Sequence, residues 1–332
     1  MGRVLEFKDM PSIISYSSVV GKKESEGPLG EFFDIKLTDD RFGEKTWEQS
    51  ESKMQKCAVS RALKRSSLSP GDVDMICAGD LLNQCISSSF GLREFNIPFM
   101  GLYGACSTMS EALIAACISI ASGLADTAVA VTSSHFCSAE RQFRFPLEYG
   151  GQRPQSAQWT VTGSGAAVLS NRNGDFPKVK RCMVGKITDF GVTDMSNMGA
   201  AMAPAAAVSL TEFFLTTNTC AKDYDLILTG DLGKTGSALL YELMDSEGID
   251  IRQNHKDCGL MIFDLQTQDV HSGGSGCGCS ASVLCGHILP LINKGRYRSI
   301  LFCATGALMS TVSSQQGESI PGICHIVNIV KE

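Results

Sequence analysis

The sequence has no excess of positive charge. Lys and Arg number 29 against 35 Asp and Glu, which gives the 332-residue chain a formal net charge of −6. A protein that binds nucleic acid normally shows a basic patch or stripe. Here the two signs of charge are mixed along the chain, so nucleic acid is excluded as the expected partner.

The sequence also has no long unbroken apolar run and no leader-like start. The apolar stretch 112–125 is interrupted by Ser119, Ser122 and Gly123, and is too short for a membrane span. No cationic region followed by an apolar core opens the chain, so no signal peptide is predicted. We therefore expect a soluble chain in a reducing compartment, with its 14 cysteines as free thiols.

What the sequence does contain is an internal repeat. Hydrophobic residues make up 43% of the chain, enough for about two lobes. Residues 73–81 are echoed by 224–232, which aligns Asp80 with Asp231, and residues 104–109 are echoed by 277–282. Apolar strands alternate with helices after both motifs. The repeated order predicts two pseudo-symmetric α/β halves, 1–172 and 173–332, with parallel sheet content.

Cys106 lies at the centre of the first motif. A buried strand over 97–103 is predicted to turn sharply through Gly104 and Ala105 and then to enter an Ala-rich helix. A thiol at a helix N-terminus lies beside unpaired N–H groups, which lower a cysteine pKa and attract anions. Cys106 is therefore either an activated group or a small buried residue at a tight turn, and both interpretations stay open.

Polar residues follow the predicted strands that neighbour this turn. Asp80 and Asp231 end equivalent strands, at the edge where α/β sheets bind ligands. Ser134 and His135 end the strand that begins at Thr127, and His135 could offer a hydrogen bond to a carboxylate. The alternative roles are structural hydrogen bonds and helix caps.

The segment after His135 offers a cation and an aromatic ring. Arg144 has a guanidinium group, which matches a carboxylate, and Phe145 could stack on an aromatic acid. Surface exposure and core packing are the alternatives for these two residues. The candidate ligand-binding residues are therefore Asp80, Cys106, Ser134, His135, Arg144, Phe145 and Asp231.

A cluster of possible metal ligands has poor spacing. His271, Cys277, Cys279, Cys285 and His287 have the composition of a zinc site. However, Cys285 and His287 are two residues apart on a predicted helix and so point to different faces. No metal site and no cofactor are predicted.

Three segments resemble the thiolase superfamily, in particular its β-ketoacyl-acyl-carrier-protein synthase III branch. They are 96–107 around Cys106, the Gly-rich 162–169, and 299–309. The resemblance covers most of the chain from about residue 50. It implies a five-layer α-β-α-β-α fold built from two halves, and a two-fold homodimer formed through the sheet edge near the Cys106 strand.

The chain departs from this family where its catalytic groups should be. In synthase III a His and an Asn complete the set with the cysteine, but here Gly230 and Asp231 follow the matching strand, and 275–279 contains no Asn. Each such group contributes roughly 10²–10⁴-fold to a rate. We therefore expect a protein without catalytic activity. The alternative is an acyltransferase with Cys106 as nucleophile and His135 as a relocated base.

A closer resemblance is to a family of stage V sporulation proteins of spore-forming Firmicutes. It rests on residues 79–84, 104–107, 133–135, 142–146, 148–151 and 157–163. This family is a thiolase-like component of the apparatus that moves dipicolinic acid across the inner spore membrane. The resemblance implies dipicolinic acid binding, with or without calcium, in the pocket that corresponds to the synthase active site. It also implies a forespore or spore location, peripheral on the inner membrane beside the membrane subunits of the stage V channel.

Overall fold

The computed structural model describes residues 4–143 and 152–331. Its strands are β1 Val4–Glu6, β2 Ser12–Val20, β3 Ile35–Lys36, β4 Met75–Gly79, β5 Phe99–Gly101, β6 Thr127–Ser134, β7 Trp159–Thr160, β8 Gly163–Ser170, β9 Lys178–Met183, β10 Leu226–Thr229, β11 His255–Asp257, β12 Gly274–Ser275, β13 Ser299–Ala307 and β14 Gly322–Val330. Its α-helices are α1 Lys22–Ser25, α2 Trp47–Arg65, α3 Ile86–Leu92, α4 Thr108–Ala121, α5 Phe136–Phe143, α6 Met198–Thr217, α7 Gly233–Ser246, α8 Cys258–Ile262, α9 Cys277–Val283, α10 Leu289–Asn293 and α11 Thr311–Gln315.

The sheet repeats one pattern of strand pairing twice. In the first half the strand order is β5-β4-β6-β8-β2, and in the second it is β11-β10-β13-β14-β9. The first three strands of each series are parallel and the last two are antiparallel. A single pair, Ser12 with Lys178, connects the two series. The prediction of a duplicated α/β fold is confirmed.

Three groups of helices separate and cover the two halves of the sheet. Helices α4, α9 and α10 pack between them, in a core that joins Leu113 and Leu289 to β-strand residues such as Phe302. Helix α2 covers the outer face of the first half, and α6 covers that of the second. This layering is the five-layer arrangement that the sequence predicted.

One local prediction needs correction. The strand predicted over 97–103 is only three residues long, and all three are exposed, because β5 is the outermost strand of the first half. An apolar strand at a sheet edge has the same composition as a buried one, so the sequence does not distinguish them. Away from the main sheet, β7 pairs with β12 in a small second sheet.

The two halves of the fold pack directly against each other. The predicted boundary after residue 172 falls in the loop between β8 and β9. Where β8 crosses α9, a Cβ atom on Gly165 would lie 2.2 Å from the carbonyl oxygen of Ala281. Such close backbone approach requires glycine at this crossing.

One helix of the described chain is long and apolar enough to cross a membrane by length and composition. This helix is α6, which has 20 residues. Two thirds of its most apolar 18-residue stretch is buried inside the fold. Its contacts with β13, β14 and α7 account for this burial. A core helix can have the same length and composition as a membrane span, so these two properties alone do not distinguish them.

Candidate functional site

The turn that carries Cys106 is held by its own side chains. It is a short 3-10 turn, Ala105–Ser107, directly before α4. The Ser107 hydroxyl donates to the carbonyl of Gly104 at 2.6 Å, and the Thr108 hydroxyl donates to that of Ala105 at 2.6 Å. Ala105 has a φ of +51°, a left-handed conformation that is uncommon for a residue with a Cβ atom. The surrounding bonds therefore hold a strained residue next to the thiol.

The second half of the fold packs directly on this turn. A Cβ atom on Gly306, near the end of β13, would lie 2.4 Å from the carbonyl oxygen of Gly104. Only glycine allows that approach without moving one of the two backbones. Cys106 therefore lies at the junction of the halves.

Asp231 is the carboxyl group beside the thiol. It is fully buried, and it accepts hydrogen bonds from the Gly276 N–H at 2.8 Å and from the hydroxyls of Ser275 at 3.2 Å and Thr305 at 3.0 Å. The Ser275 hydroxyl is in turn 3.9 Å from the Cys106 sulfur. Burial raises the pKa of Asp231 to about 7. After β10, where the resemblance to the synthases implies a His, this chain has Gly230 followed by the buried acid Asp231.

Of the two interpretations of Cys106, the structure favours the small buried residue at a tight turn over the activated thiol. Burial raises the pKa of this thiol well above its ordinary value, and the negative charge of Asp231 raises it further. A helix terminus stabilises a nearby anion by only about 0.3–1 kcal/mol at most exposed sites. The loss of hydration opposes ionisation more strongly. The thiol is therefore protonated at neutral pH.

A small cavity lies in front of Cys106. Its free volume is about 40 Å³, room for roughly one water molecule, whereas small-molecule pockets typically exceed about 300 Å³. Its polar groups include the thiol and the side chains of Ser275, Thr160 and Glu140. The Thr160 hydroxyl donates to Glu140 at 3.2 Å. The remaining lining residues are Leu81, Tyr103, Ala105, Ala139, Phe143, Met198, Ala307 and Met309.

Two predicted site residues have structural roles instead. Asp80 is fully buried and accepts from the N–H groups of Leu82 at 2.9 Å and Ser88 at 2.8 Å, which closes the turn into α3. The Ser134 hydroxyl donates to the carbonyl of Val161 at 2.6 Å and accepts from the Gly278 N–H at 3.2 Å. Neither residue lines the Cys106 cavity.

His135 faces a different cleft. Its Nδ1 accepts from the Cys137 N–H at 3.2 Å, so Nε2 carries the proton and donates to the carbonyl of Asp40 at 2.8 Å. Burial lowers its pKa, which keeps the ring neutral. The cleft has a volume of about 560 Å³ and is also lined by Trp159, while α5 separates it from Cys106. The prediction that His135 adjoins Cys106 is therefore wrong.

Arg144 and Phe145 lie outside the described residues. Their neighbour Phe143 lines the Cys106 cavity. Sequence reasoning missed Thr160, Glu140 and Tyr103 as lining residues. It could have found Ser275, because this residue lies two positions before the repeated motif that matches the Cys106 turn.

A second buried acid lies behind the site in the first half of the fold. Glu51 of α2 accepts hydrogen bonds from the hydroxyls of Ser133 and Ser138, both at 2.8 Å. Burial, and next the charge of Asp80, raise the pKa of Glu51 to about 8. No signal in the sequence separates Glu51 from the exposed acids around it, because its burial depends on tertiary packing.

The metal candidates are dispersed. Within 4–143 and 152–331 no group of three or more His, Cys, Asp or Glu side chains is arranged to hold a metal ion. The Cys277 thiol donates to the carbonyl of Ser133 at 3.0 Å, and His271 donates through Nδ1 to the carbonyl of Pro154 at 2.8 Å. Since a carbonyl only accepts, this nitrogen of His271 carries the proton.

The buried Glu51 predicts a pH-dependent stability. Its pKa is higher in the folded state than in the unfolded chain, so its contribution is complete below about pH 4.5 and is lost as the pH rises through about 8. We expect Glu51→Gln to flatten the fall in unfolding free energy by up to about 1.4 kcal/mol per pH unit. Denaturant unfolding between pH 5 and pH 9 measures this slope, with the exposed Glu94→Gln as control. Parallel slopes for Glu51→Gln and the unmodified protein would contradict the assignment.

Because Cys106 is protonated, we expect its thiol to react slowly with alkylating reagents. With iodoacetamide at pH 8, we expect Cys106 to be alkylated at least about 100-fold more slowly than the exposed Cys220, because the thiolate is the reactive form. Peptide mass mapping over time measures both rates in one sample. Asp231→Asn should raise the Cys106 rate by removing the opposing charge. Fast labelling of Cys106 in the folded protein would show an ionised thiol instead.

Comparison with known proteins identifies the family. The family model of stage V sporulation protein AD matches residues 2–330. A curated relative, stage V sporulation protein AD of Bacillus subtilis (strain 168), is 44% identical over 311 residues, which cover 94% of this chain and 91% of the relative.

Solved structures agree on the fold. The 3-oxoacyl-[acyl-carrier-protein] synthase III of Aquifex aeolicus VF5 matches with a TM-score of 0.59 and 13% identity, over 96% of this chain and 99% of that one. An OleA variant of Xanthomonas campestris with cerulenin matches with a TM-score of 0.62 and 13% identity, over 98% of each chain. The fold is thiolase-like, and the chain belongs to the stage V sporulation protein AD family.

Proposed function

We propose that this protein binds dipicolinic acid in the cleft beside Cys106 without catalysing a reaction. It would serve the movement of dipicolinic acid across the inner spore membrane during sporulation and germination. The observation that carries the proposal is the buried, protonated Cys106 thiol with Asp231 as its acidic neighbour. Membership of a sporulation family supports the biological setting.

The polar surroundings of Cys106 do not favour acyl transfer. That reaction requires a thiolate, groups that move protons, and donors for an oxyanion. Burial keeps the thiol protonated, and His135 is engaged with Asp40 on the far side of α5. Among the described residues that line the cavity there is no imidazole. The arrangement is suited to a wall of a binding pocket.

The ligand requires a larger cavity than the one described. A volume of about 40 Å³ does not hold an aromatic dicarboxylate, so entry has to displace part of the lining. Phe143, Met198 and Met309 are large side chains of the lining that are only partly buried, and Tyr103 is 44% exposed. Once these move, the hydroxyls of Ser275 and Thr160 donate to a ligand carboxylate by turning away from Asp231 and Glu140, their present acceptors. Arg144 stays the predicted cation for the second carboxylate.

Calorimetry tests the binding proposal. We expect saturable binding of dipicolinic acid, weaker binding of its positional isomers, and at least a tenfold loss of affinity in Cys106→Met, whose larger side chain fills the cavity. Titration with and without calcium shows whether the metal ion accompanies the ligand. Cys220→Met, on the exposed surface, is the matched control. Unchanged affinity in Cys106→Met, with a normal melting temperature, would place the site elsewhere.

The same protein can be tested for the competing acyltransferase function. The retained cysteine before a helix, next to the strained Ala105, is the observation that favours this alternative. Incubation with acetyl-CoA followed by intact mass measurement should leave the chain unmodified. A stable acyl adduct on Cys106 would overturn the proposal and establish the acyltransferase.

The edge strand β5 supports the proposed two-fold homodimer. Phe99 and Met100 on this strand, and Tyr103 just after it, are exposed although they are apolar or aromatic. An open, apolar sheet edge readily pairs with another strand, and a second copy of β5 in antiparallel orientation would cover it. In the proposed assembly the dimer docks on the membrane subunits of the stage V channel.

The dimer has a direct test. We expect light scattering after gel filtration to give the mass of two chains, and Phe99→Glu to shift this to one, because the charge at the edge opposes pairing. Leu124→Glu, at an even more exposed apolar position away from β5, should remain dimeric. A dimer that persists in Phe99→Glu would move the interface to another surface.

A further inference from the structure

A broad groove on the surface lies away from Cys106. It is a groove of about 780 Å³ along the outer face of α2, from Gln49 to Lys64, which spans about 22 Å at 1.5 Å per residue. One wall is formed by α3 and the turn after it, from Ile86 to Glu94. The other wall contains Ile35 and Glu44. The proposed ligand site uses none of these residues.

The charge of this groove is opposite to that of the chain. Five basic and three acidic side chains line it, while the chain as a whole carries −6. The basic residues are Lys53, Lys56, Arg61, Lys64 and Arg93, and the acidic residues are Glu44, Glu48 and Glu94. Lys53, Lys56, Arg61 and Lys64 follow one another at intervals of three, five and three residues, which places all four on one broad face of α2.

The ion pairs within the groove are exposed and exchangeable. Lys53 pairs with Glu44 at 2.9 Å, with side chains 38% and 33% exposed, and Lys56 pairs with Glu94. Exposed pairs of this kind contribute little to folding stability. The carboxylates of a partner can therefore replace Glu44 and Glu94 without disturbing the fold.

The wall formed by α3 adds an apolar contact surface. Phe90 is 53% exposed and Ile86 is 38% exposed. The Arg93 guanidinium lies 4.7 Å from the centre of the Phe90 ring, so a cation covers one side of an exposed aromatic ring. Aromatic and Arg side chains of this kind dominate the binding energy of protein interfaces.

We infer that this groove docks an acidic amphipathic helix of a partner protein. The length of the α2 face fits about four helical turns, the cations match acidic side chains, and Phe90 with Ile86 matches the apolar side of such a helix. Nucleic acid fits less well, because the chain as a whole carries a net charge of −6, which opposes the close approach of a long polyanion. A bilayer is flat and does not reach the floor of a concave groove.

Fluorescence anisotropy with the full chain tests this inference. The probe is a labelled synthetic helical peptide with Glu on one face and Leu and Phe on the other. We expect saturable binding, and at least a tenfold weaker affinity in the double variant Lys56→Glu, Lys64→Glu. The matched control is Lys222→Glu, Lys234→Glu, which reverses two exposed charges in the second half of the fold and should bind as the unmodified protein does.

Further measurements distinguish this groove from the β5 edge and from a membrane-binding surface. A peptide with Lys in place of Glu should bind the Lys56→Glu, Lys64→Glu variant better than the unmodified protein, and Phe99→Glu should retain binding of the acidic peptide. Absent peptide binding, or equal loss in both double variants, would overturn the inference. Binding of phosphatidylglycerol vesicles that disappears only in Lys56→Glu, Lys64→Glu, without peptide binding, would also overturn it in favour of a membrane surface.

Discussion

The structure depends on burying carboxyl groups at the edge where its parallel strands end. Asp80 follows β4, Asp257 ends β11, and Asp231 follows β10, each at most 1% exposed. A buried acid is tolerated only when hydrogen bonds replace its lost hydration. Backbone N–H groups and hydroxyls provide those bonds here, as Leu232 and Gly233 do for Asp257 at 2.8 and 3.0 Å. The turns of the site are therefore fixed by the need to satisfy these acids.

The two halves use equivalent acids in different ways. Asp80 is satisfied within its own half, by the turn into α3. Asp231 instead binds Gly276 before α9 and Thr305 on β13, and so lies against the Cys106 turn of the first half. Because its charge opposes ionisation of the thiol, the same acid that orders the junction also suppresses the nucleophile.

Sequence reasoning predicted the parts that follow from local pattern and repetition. The duplicated halves and the sharp turn at Cys106 were readable from residue order. The thiol pKa and the burial of Glu51 were not, because desolvation depends on residues distant in the chain. The direction of His135 also depended on tertiary packing, since a strand end alone does not fix which side of α5 its ring faces.

The small size of the Cys106 cavity connects the site to the rest of the molecule. Its lining comes from both halves: Tyr103 follows edge strand β5, Phe143 ends α5, and Met309 follows β13. The Tyr103 hydroxyl donates to the carbonyl of Leu81 at 3.2 Å, so the residue is tied to the end of β4 as well as to β5. A ligand larger than water has to move at least one of these walls. If Tyr103 moves, the displacement is transmitted to the open sheet edge, because Leu102 alone lies between it and Gly101, the last residue of β5.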